Sequence, residues 1–220
     1  PKPTKKKTQV YVVTIHRKTE FGVEKSTYPY WSWKPCITCQ HERPPRVHHC
    51  HVCRTCILKR DHHCFFTGTC IGLNNQRHFV VFVWWTAIAT TFSLVHGIAY
   101  CYWYFLADSW CMDVILPVTV FRCIMGYDVS YFKCLLVAIG YSLLWFCPIC
   151  WKFVFDQFYT ISNGITTFEL GNEIKVVNTN SCRRNIRGVF GNYWIINFII
   201  PLHLIFKPHD SGVYWHGVSA

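Results

Sequence analysis

Residues 36–70 read CITCQHERPPRVHHCHVCRTCILKRDHHCFFTGTC, seven cysteines interleaved with histidines in a single stretch. The spacing runs Cys36-x2-Cys39, then His49-Cys50-x2-Cys53-x2-Cys56, then Asp61-His62-His63-Cys64 and Cys70. Cys-x2-Cys is the short turn that aims two thiolates at one tetrahedral zinc ion. Two such pairs, Cys36/Cys39 and Cys50/Cys53, imply two ions, each completed by two ligands from further along the chain. Two closed Cys3His sites would use six cysteines and two histidines, which leaves one cysteine over. Cys64, beside His62 and Asp61, is the candidate.

Two readings of Cys64 stand side by side. In a plain zinc ribbon it is a ligand or a bystander. A thiolate beside an imidazole, with a carboxylate to orient that imidazole, also has the parts of an activated nucleophile.

The sequence that follows bears on the choice. Phe79 to Leu106 runs 28 residues without Asp, Glu, Lys or Arg, and about 20 apolar residues cross a bilayer core. A second apolar span lies at Cys134–Tyr159, interrupted by Pro148 and carrying Lys152 and Asp156 near its far end. The connector between the spans holds only Arg122 and Lys133 as cations, against Asp108, Asp113 and Asp128. Lys34, Arg43, Arg46, Arg54, Lys59, Arg60, Arg77, Lys175, Arg183, Arg184 and Arg187 lie outside the spans on the other side. The positive-inside rule then makes the cysteine-rich region and the C-terminal region cytoplasmic. That compartment is reducing, so the cysteines are metal ligands rather than disulfides.

The formal net charge is +11, with 51% hydrophobic and 18% aromatic residues. A basic balance alone suggests nucleic acid. With two apolar spans beside it, the anionic cytoplasmic leaflet is the simpler partner, and no nucleic-acid partner is expected. Trp84, Trp85, Tyr100, Tyr102, Trp103 and Tyr104 sit where interfacial aromatic belts form. No internal repeat or long low-complexity tract is evident. The opening PKPTKKK is too poor in apolar residues for a signal peptide.

Together these residues resemble the cysteine-rich domain of the DHHC protein S-acyltransferases (palmitoyltransferases), from Cys36 through Cys70 to Asn75 and Phe79. Thr166-Thr167-Phe168-Glu169 resembles that family's Thr-Thr-x-Glu motif after the last membrane span. Asn185-Ile-Arg-Gly-Val-Phe-Gly191 resembles its C-terminal element. The resemblance implies two structural zinc ions on interleaved ligands: Cys36, Cys39, His49 and Cys56 for one, and Cys50, Cys53, His63 and Cys70 for the other. His48 and His51 are then non-ligands, facing solvent or backbone. The resemblance also implies that Cys64 takes a long-chain acyl group from acyl-CoA (palmitoyl-CoA), with His62 as base and Asp61 orienting it. The acyl group then passes to a cysteine of a membrane-associated substrate protein at the cytoplasmic face. Thr166, Thr167, Glu169 and Asn185 are expected as supporting residues, with Thr167 and Glu169 packed near Asp61. Arg43, Arg46, Lys59 and Arg60 are candidates for the CoA phosphates.

The implied fold is mostly α and integral to the membrane, in a multi-pass protein of the Golgi, endoplasmic reticulum or plasma membrane. An irregular or β-hairpin cysteine-rich domain with two zinc ions lies on the cytoplasmic side. The expected organisation is a basic N-terminal segment (1–35), the zinc domain (36–78), a span (79–106), a lumenal or extracellular connector (107–133), a span (134–159) and a cytoplasmic C-terminal region (160–220). Within that last region Tyr193–Phe206, with Pro201, reads as interfacial rather than spanning.

The chain departs from the family pattern in two places. The family usually has two spans before its cysteine-rich domain, where these 35 residues are polar, so the chain is either truncated or divergent. The family also places Pro-Trp after the tetrad and Asn before the last ligand cysteine, where this chain has Phe65-Phe66-Thr67-Gly68-Thr69. An inactive zinc-bearing membrane scaffold is the alternative that this stretch supports.

Overall fold

The computed structural model of the chain describes residues 12–19, 22–103, 111–127, 129–199 and 211–219. The far end of the expected first span (104–106), part of the connector and all of 200–210 lie outside them. The fold divides into two compact units, Pro1–Phe79 with Asp156–Ala220, and Val80–Phe155.

The first unit is built from short antiparallel hairpins. β1 (Val12–Thr19) pairs with β2 (Gly22–Pro29), so the described part of the polar N-terminal segment contains a strand pair. Three hairpins of three-residue strands follow: β3 (Lys34–Cys36) with β4 (His41–Arg43), β5 (His48–Cys50) with β6 (Thr55–Ile57), and β7 (His62–Cys64) with β8 (Thr69–Ile71). Their registers are equivalent, since Cys36 faces His41, Cys50 faces Thr55 and Cys64 faces Thr69. Each step is 14 residues, so the cysteine-rich region is a threefold repeat, contrary to the sequence reading. Only glycine, Asn-like or specially held residues enter the left-handed region, and here Gln40, Arg54 and Gly68 occupy it at matching hairpin positions (φ 56°, 54° and 64°). The repeat escapes notice in sequence because so few of its residue identities are shared by all three copies.

The same unit ends with α4 (Thr167–Gly171), β9 (Val177–Asn178), α5 (Cys182–Phe190), α6 (Trp194–Ile199) and β10 (Val218–Ser219), β10 pairing with β9. Gly164, at φ 66°, turns the chain into α4, and a Cβ there would lie 2.1 Å from Asn178 Nδ2. Any other residue there would strain the backbone and have to displace the Asn178 side chain.

Two long helices carry the apolar sequence, α1 (Gln76–Cys101) and α3 (Tyr131–Asn163), with α2 (Leu116–Ile124) between them in the expected connector. α1 and α3 are long and apolar enough to cross a membrane. α3 continues through Pro148, which the sequence reading treats as an interruption. Proline removes one helical hydrogen bond, and apolar spans tolerate that loss where neighbours re-satisfy the backbone. Within the second unit Trp151 donates to Thr91 Oγ1 (2.9 Å), and Trp84 meets Trp151 edge-on at 5.9 Å. Phe82, Phe92, Leu135, Leu144 and Trp145 stay exposed, an apolar exterior that water would penalise and lipid would not. Asp113 forms ion pairs with both Arg122 and Lys133, so the connector's two cations share one buried carboxylate.

Candidate active site and metal centres

Strand alternation explains how one short sequence serves two metal sites and a third purpose. Successive strand residues point to opposite faces. In β5 this sends His49 one way and Cys50 the other. In β7 it sends His63 to one face while His62 and Cys64 share the opposite one. His49 lies opposite Cys56 and His63 opposite Cys70 in their hairpins, which delivers each histidine to a cysteine of the neighbouring strand.

Two clusters result: Cys36, Cys39, His49 and Cys56, and Cys50, Cys53, His63 and Cys70. In each, all four ligand atoms lie within 4.8 Å of one another. His49 Nδ1 is 3.7, 3.3 and 3.9 Å from the sulfurs of Cys36, Cys39 and Cys56. His63 Nδ1 is 3.6, 3.3 and 3.6 Å from those of Cys50, Cys53 and Cys70. Tetrahedral zinc with ordinary Zn–S and Zn–N bonds sets this separation at about 3.5 Å. The clusters therefore fit zinc in donor type, number and spacing. The described cysteines outside position 111 are all free thiols. His48 and His51 are in neither cluster. His51 is exposed, but His48 is buried, with Nε2 3.3 Å from the Tyr30 hydroxyl and its ring 3.9 Å from that of Phe168. Burial, then the charges of Arg43, Lys34, Arg60 and Arg46, push His48 down to about 3 and keep it neutral. The expected solvent or backbone partner is thus corrected for His48.

The third hairpin repeats the other two with Thr67 where they carry Cys39 and Cys53. With its partner cysteine replaced, Cys64 joins neither cluster. It is buried, at the base of a hairpin whose tip exposes Phe65 and Phe66. Burial opposes its ionisation, but the hydroxyl and amide of Thr67, His62 and the Phe66 amide outweigh that and hold the thiol below its ordinary value. The amides of this turn support Cys64 as the Cys53 amide supports Cys50 Sγ at 3.4 Å.

Asp61 is 1% exposed and fully committed. Its Oδ2 accepts from His62 Nδ1 (2.8 Å), Gln157 Nε2 (2.8 Å) and the Thr167 hydroxyl (2.9 Å), and its Oδ1 from the Thr167 amide (2.6 Å). Burial works against the carboxylate, yet the bonds from His62, Thr167 and Gln157 hold its pKa below the usual range. Burial likewise lowers His62, but the bond and charge of Asp61 and the neighbouring Cys64 raise it overall. With Nδ1 fixed on Asp61, His62 Nε2 is left buried and has no hydrogen-bond partner among the described residues. That is the nitrogen available to a thiol's proton.

Thr166 caps α4 in a reciprocal capping box with Glu169. Thr167 reaches Asp61 as expected. Glu169 does not; it is wholly buried and accepts from Arg46 Nε and Nη2 (both 2.7 Å), the Tyr30 hydroxyl (2.9 Å) and the Thr166 amide (2.8 Å). Arg46, so engaged and 2% exposed, is withdrawn from the CoA candidates. Asn185 is half-buried and donates to Ser162 O at 2.8 Å, an anchor for α5. Sequence reasoning missed Tyr30, Gln76 and Gln157. Gln76 donates to Gln157 Oε1 at 3.3 Å, and both are 2% exposed. A pair of polar residues inside or beside otherwise apolar spans was the available signal.

A family model described as DHHC palmitoyltransferase matches residues 31–174. The chain belongs to the DHHC palmitoyltransferase family. Palmitoyltransferase ZDHHC22 of Rattus norvegicus is 30% identical over 168 residues, covering 72% of this chain and 61% of that protein. The Danio rerio ZDHHC22 is 29% identical over 209 residues, covering 87% of this chain and 70% of its own length. Probable protein S-acyltransferase 16 of Arabidopsis thaliana is 47% identical over 60 residues, covering 27% of this chain and 21% of its own. The chain thus spans about three fifths of the length of the rat relative. As a DHHC-family member it is a membrane protein carrying two apolar helices and a hairpin-built Cys/His-rich region.

Proposed function

We propose that the chain is a protein-cysteine S-palmitoyltransferase whose nucleophile is Cys64. The observation that carries this reading is the Asp61–His62–Cys64 arrangement: a desolvated, four-times-bonded carboxylate fixes the imidazole by Nδ1 and leaves Nε2 open on the strand face that also bears Cys64. In the first step the Cys64 thiolate attacks the thioester carbonyl of a long-chain acyl-CoA, its proton held on His62 Nε2. The new C–S bond forms, the old one breaks, and the CoA sulfur leaves with the proton. In the second step His62 takes the proton of a substrate cysteine, whose thiolate attacks the Cys64 thioester and releases Cys64. One thioester replaces another in each step, so neither ATP nor a redox partner is required.

Zinc, held by the two Cys3His sets, would cross-link the hairpins and so fix β7. Each ion has a full set of protein ligands, which is the structural rather than the catalytic pattern. A sixteen-carbon chain gains about 0.8 kcal/mol per buried CH2, and the ≈ 730 Å³ apolar cavity between α1 and α3 offers such surroundings within the second unit. The orientation with the zinc region and residues 160–220 cytoplasmic is supported by the placement of Lys and Arg about the spans. Substrates would then be membrane-associated proteins with cytoplasmic cysteines.

The test is label transfer from palmitoyl-CoA to the purified, detergent-solubilised chain. A hydroxylamine-sensitive label is expected, and it is lost in Cys64→Ser while zinc content stays unchanged. A label that survives Cys64→Ser would sink the assignment. Two zinc ions without any acyl-enzyme would return the chain to the scaffold reading.

A further inference from the structure

A cavity of ≈ 360 Å³ lies wholly within the first unit, and its wall contains Lys59, Arg184, Arg187 and His216 but no carboxylate. Arg46 also lines it, with its charge already matched by Glu169. Lys59, Arg184 and Arg187 add three further cations to that wall. Like charges gathered around one cavity repel, and a bound anion converts that cost into attraction. α5, which supplies both arginines, has no acidic residue at all. Arg187 Nε and Trp215 Nε1, both from lining residues, are buried with no hydrogen-bond partner among the described residues. Unmatched buried donors are uncommon in native folds. Here both belong to residues that line one basic pocket.

Arginine forks match phosphate oxygens two at a time, and a lysine adds a point charge. The pocket is too small for a nucleic-acid strand and too polar for an acyl chain. We propose that it binds a compact, multiply phosphorylated group, either an inositol polyphosphate in solution or the same chemistry carried as a phosphoinositide headgroup. Because Gly164 and Ile165 also line the pocket, occupancy would brace the turn that leads into Thr166 and Thr167. The binding itself is independent of the chemistry proposed for Cys64.

The test uses the full zinc-loaded chain in detergent, titrated calorimetrically with inositol hexakisphosphate. Saturable one-site binding is expected, stronger than that of inorganic sulfate. Arg187→Gln and Arg184→Gln should each weaken it by about tenfold, the loss of one charge-assisted contact. Arg183→Gln, on the same helix but outside the wall, should change it by less than about twofold, because exposed charges act weakly at a distance. Zinc content and thermal midpoint show that each variant is folded, and the exposed Arg184 carries the test if Arg187→Gln is not. Nanodiscs with and without phosphatidylinositol bisphosphate separate the sources. Arg187-dependent capture by the phosphoinositide discs supports the headgroup, and binding of the soluble ligand alone supports the free phosphate. No binding beyond that of sulfate, or equal losses in Arg183→Gln and Arg187→Gln, would overturn the proposal. So would displacement of the hexakisphosphate by CoA at matched concentration, which would make the pocket part of the acyl-donor site.

Discussion

Asp61 receives hydrogen bonds from three residues, and only one of them, His62, is its neighbour in sequence. Gln157 and Thr167 come from 96 and 106 residues away, and they fix the carboxylate that fixes the imidazole. If His62 works as proposed, its orientation depends on both. Each hydrogen bond to a charged group contributes roughly 1.5–3 kcal/mol, so losing one should cost about tenfold or more in acylation rate. Gln157→Leu is expected to slow Cys64 acylation by that order while two zinc ions per chain remain bound. Single-turnover labelling with metal analysis on the same sample checks it, and unchanged rates would show that Thr167 alone suffices. The sequence marked Gln157 only as a polar residue near the end of an apolar span. One glutamine near the end of an apolar span has no periodic signal, and its meaning appears only when Asp61 is placed against it.

At the scale of elements, Arg46 and Glu169 join the hairpin region to α4 through a buried, doubly hydrogen-bonded pair (2% and 0% exposed). Arg46 is also stacked against Trp215, its guanidinium 4.7 Å from the ring centroid. Removing one partner strands a charge in the interior, which costs roughly 3–5 kcal/mol, whereas replacing both with apolar residues is often nearly neutral. Thermal unfolding should therefore show Arg46→Met and Glu169→Met each markedly destabilised, and the double variant less so than either single one. Equal losses in all three would mean that the packing, not the pairing, carries the stability. The two Cys-x2-Cys pairs and the spare cysteine were readable from spacing, because a tetrahedral site takes four ligands, whereas the full ligand sets came from the family resemblance. The role of Glu169 was misplaced because the motif shows which residues lie together, but not that Thr167 and Glu169 face opposite partners. Within Phe65–Thr69, Thr67 and Gly68 hold the turn positions that Cys39–Gln40 and Cys53–Arg54 hold in the other two hairpins. It follows that Thr67→Cys should still bind two zinc ions and not three. The positions one repeat further on from His63 and Cys70 are Arg77 and Trp84, and neither can ligate. Metal analysis of that variant decides the point.

For the whole molecule, the apolar helices set where the chemistry can take place. α1 begins six residues after Cys70, so if α1 spans a bilayer the hairpin region lies on the side where α1 starts. α3 ends at Asn163, three residues before the Thr166 cap, and brings the C-terminal elements back to that same side if both helices span. Asp61 bonded to Gln157 and Thr167 requires this return, because a carboxylate cannot meet donors held across a membrane. Topology and site geometry therefore make one joint prediction. A glycosylation acceptor built in the connector by Gly126→Asn with Asp128→Ser should be modified in microsomes, since Asn tolerates the left-handed backbone that Gly126 adopts (φ 74°). An acceptor made at Asn178 by Asn180→Ser should remain unmodified, because it lies beyond α3 with the site. Both chains should resist carbonate extraction. Modification of the Asn178 acceptor would place residues beyond α3 in the lumen, apart from any cytoplasmic acyl-CoA, and the acyltransferase reading would fall with the topology.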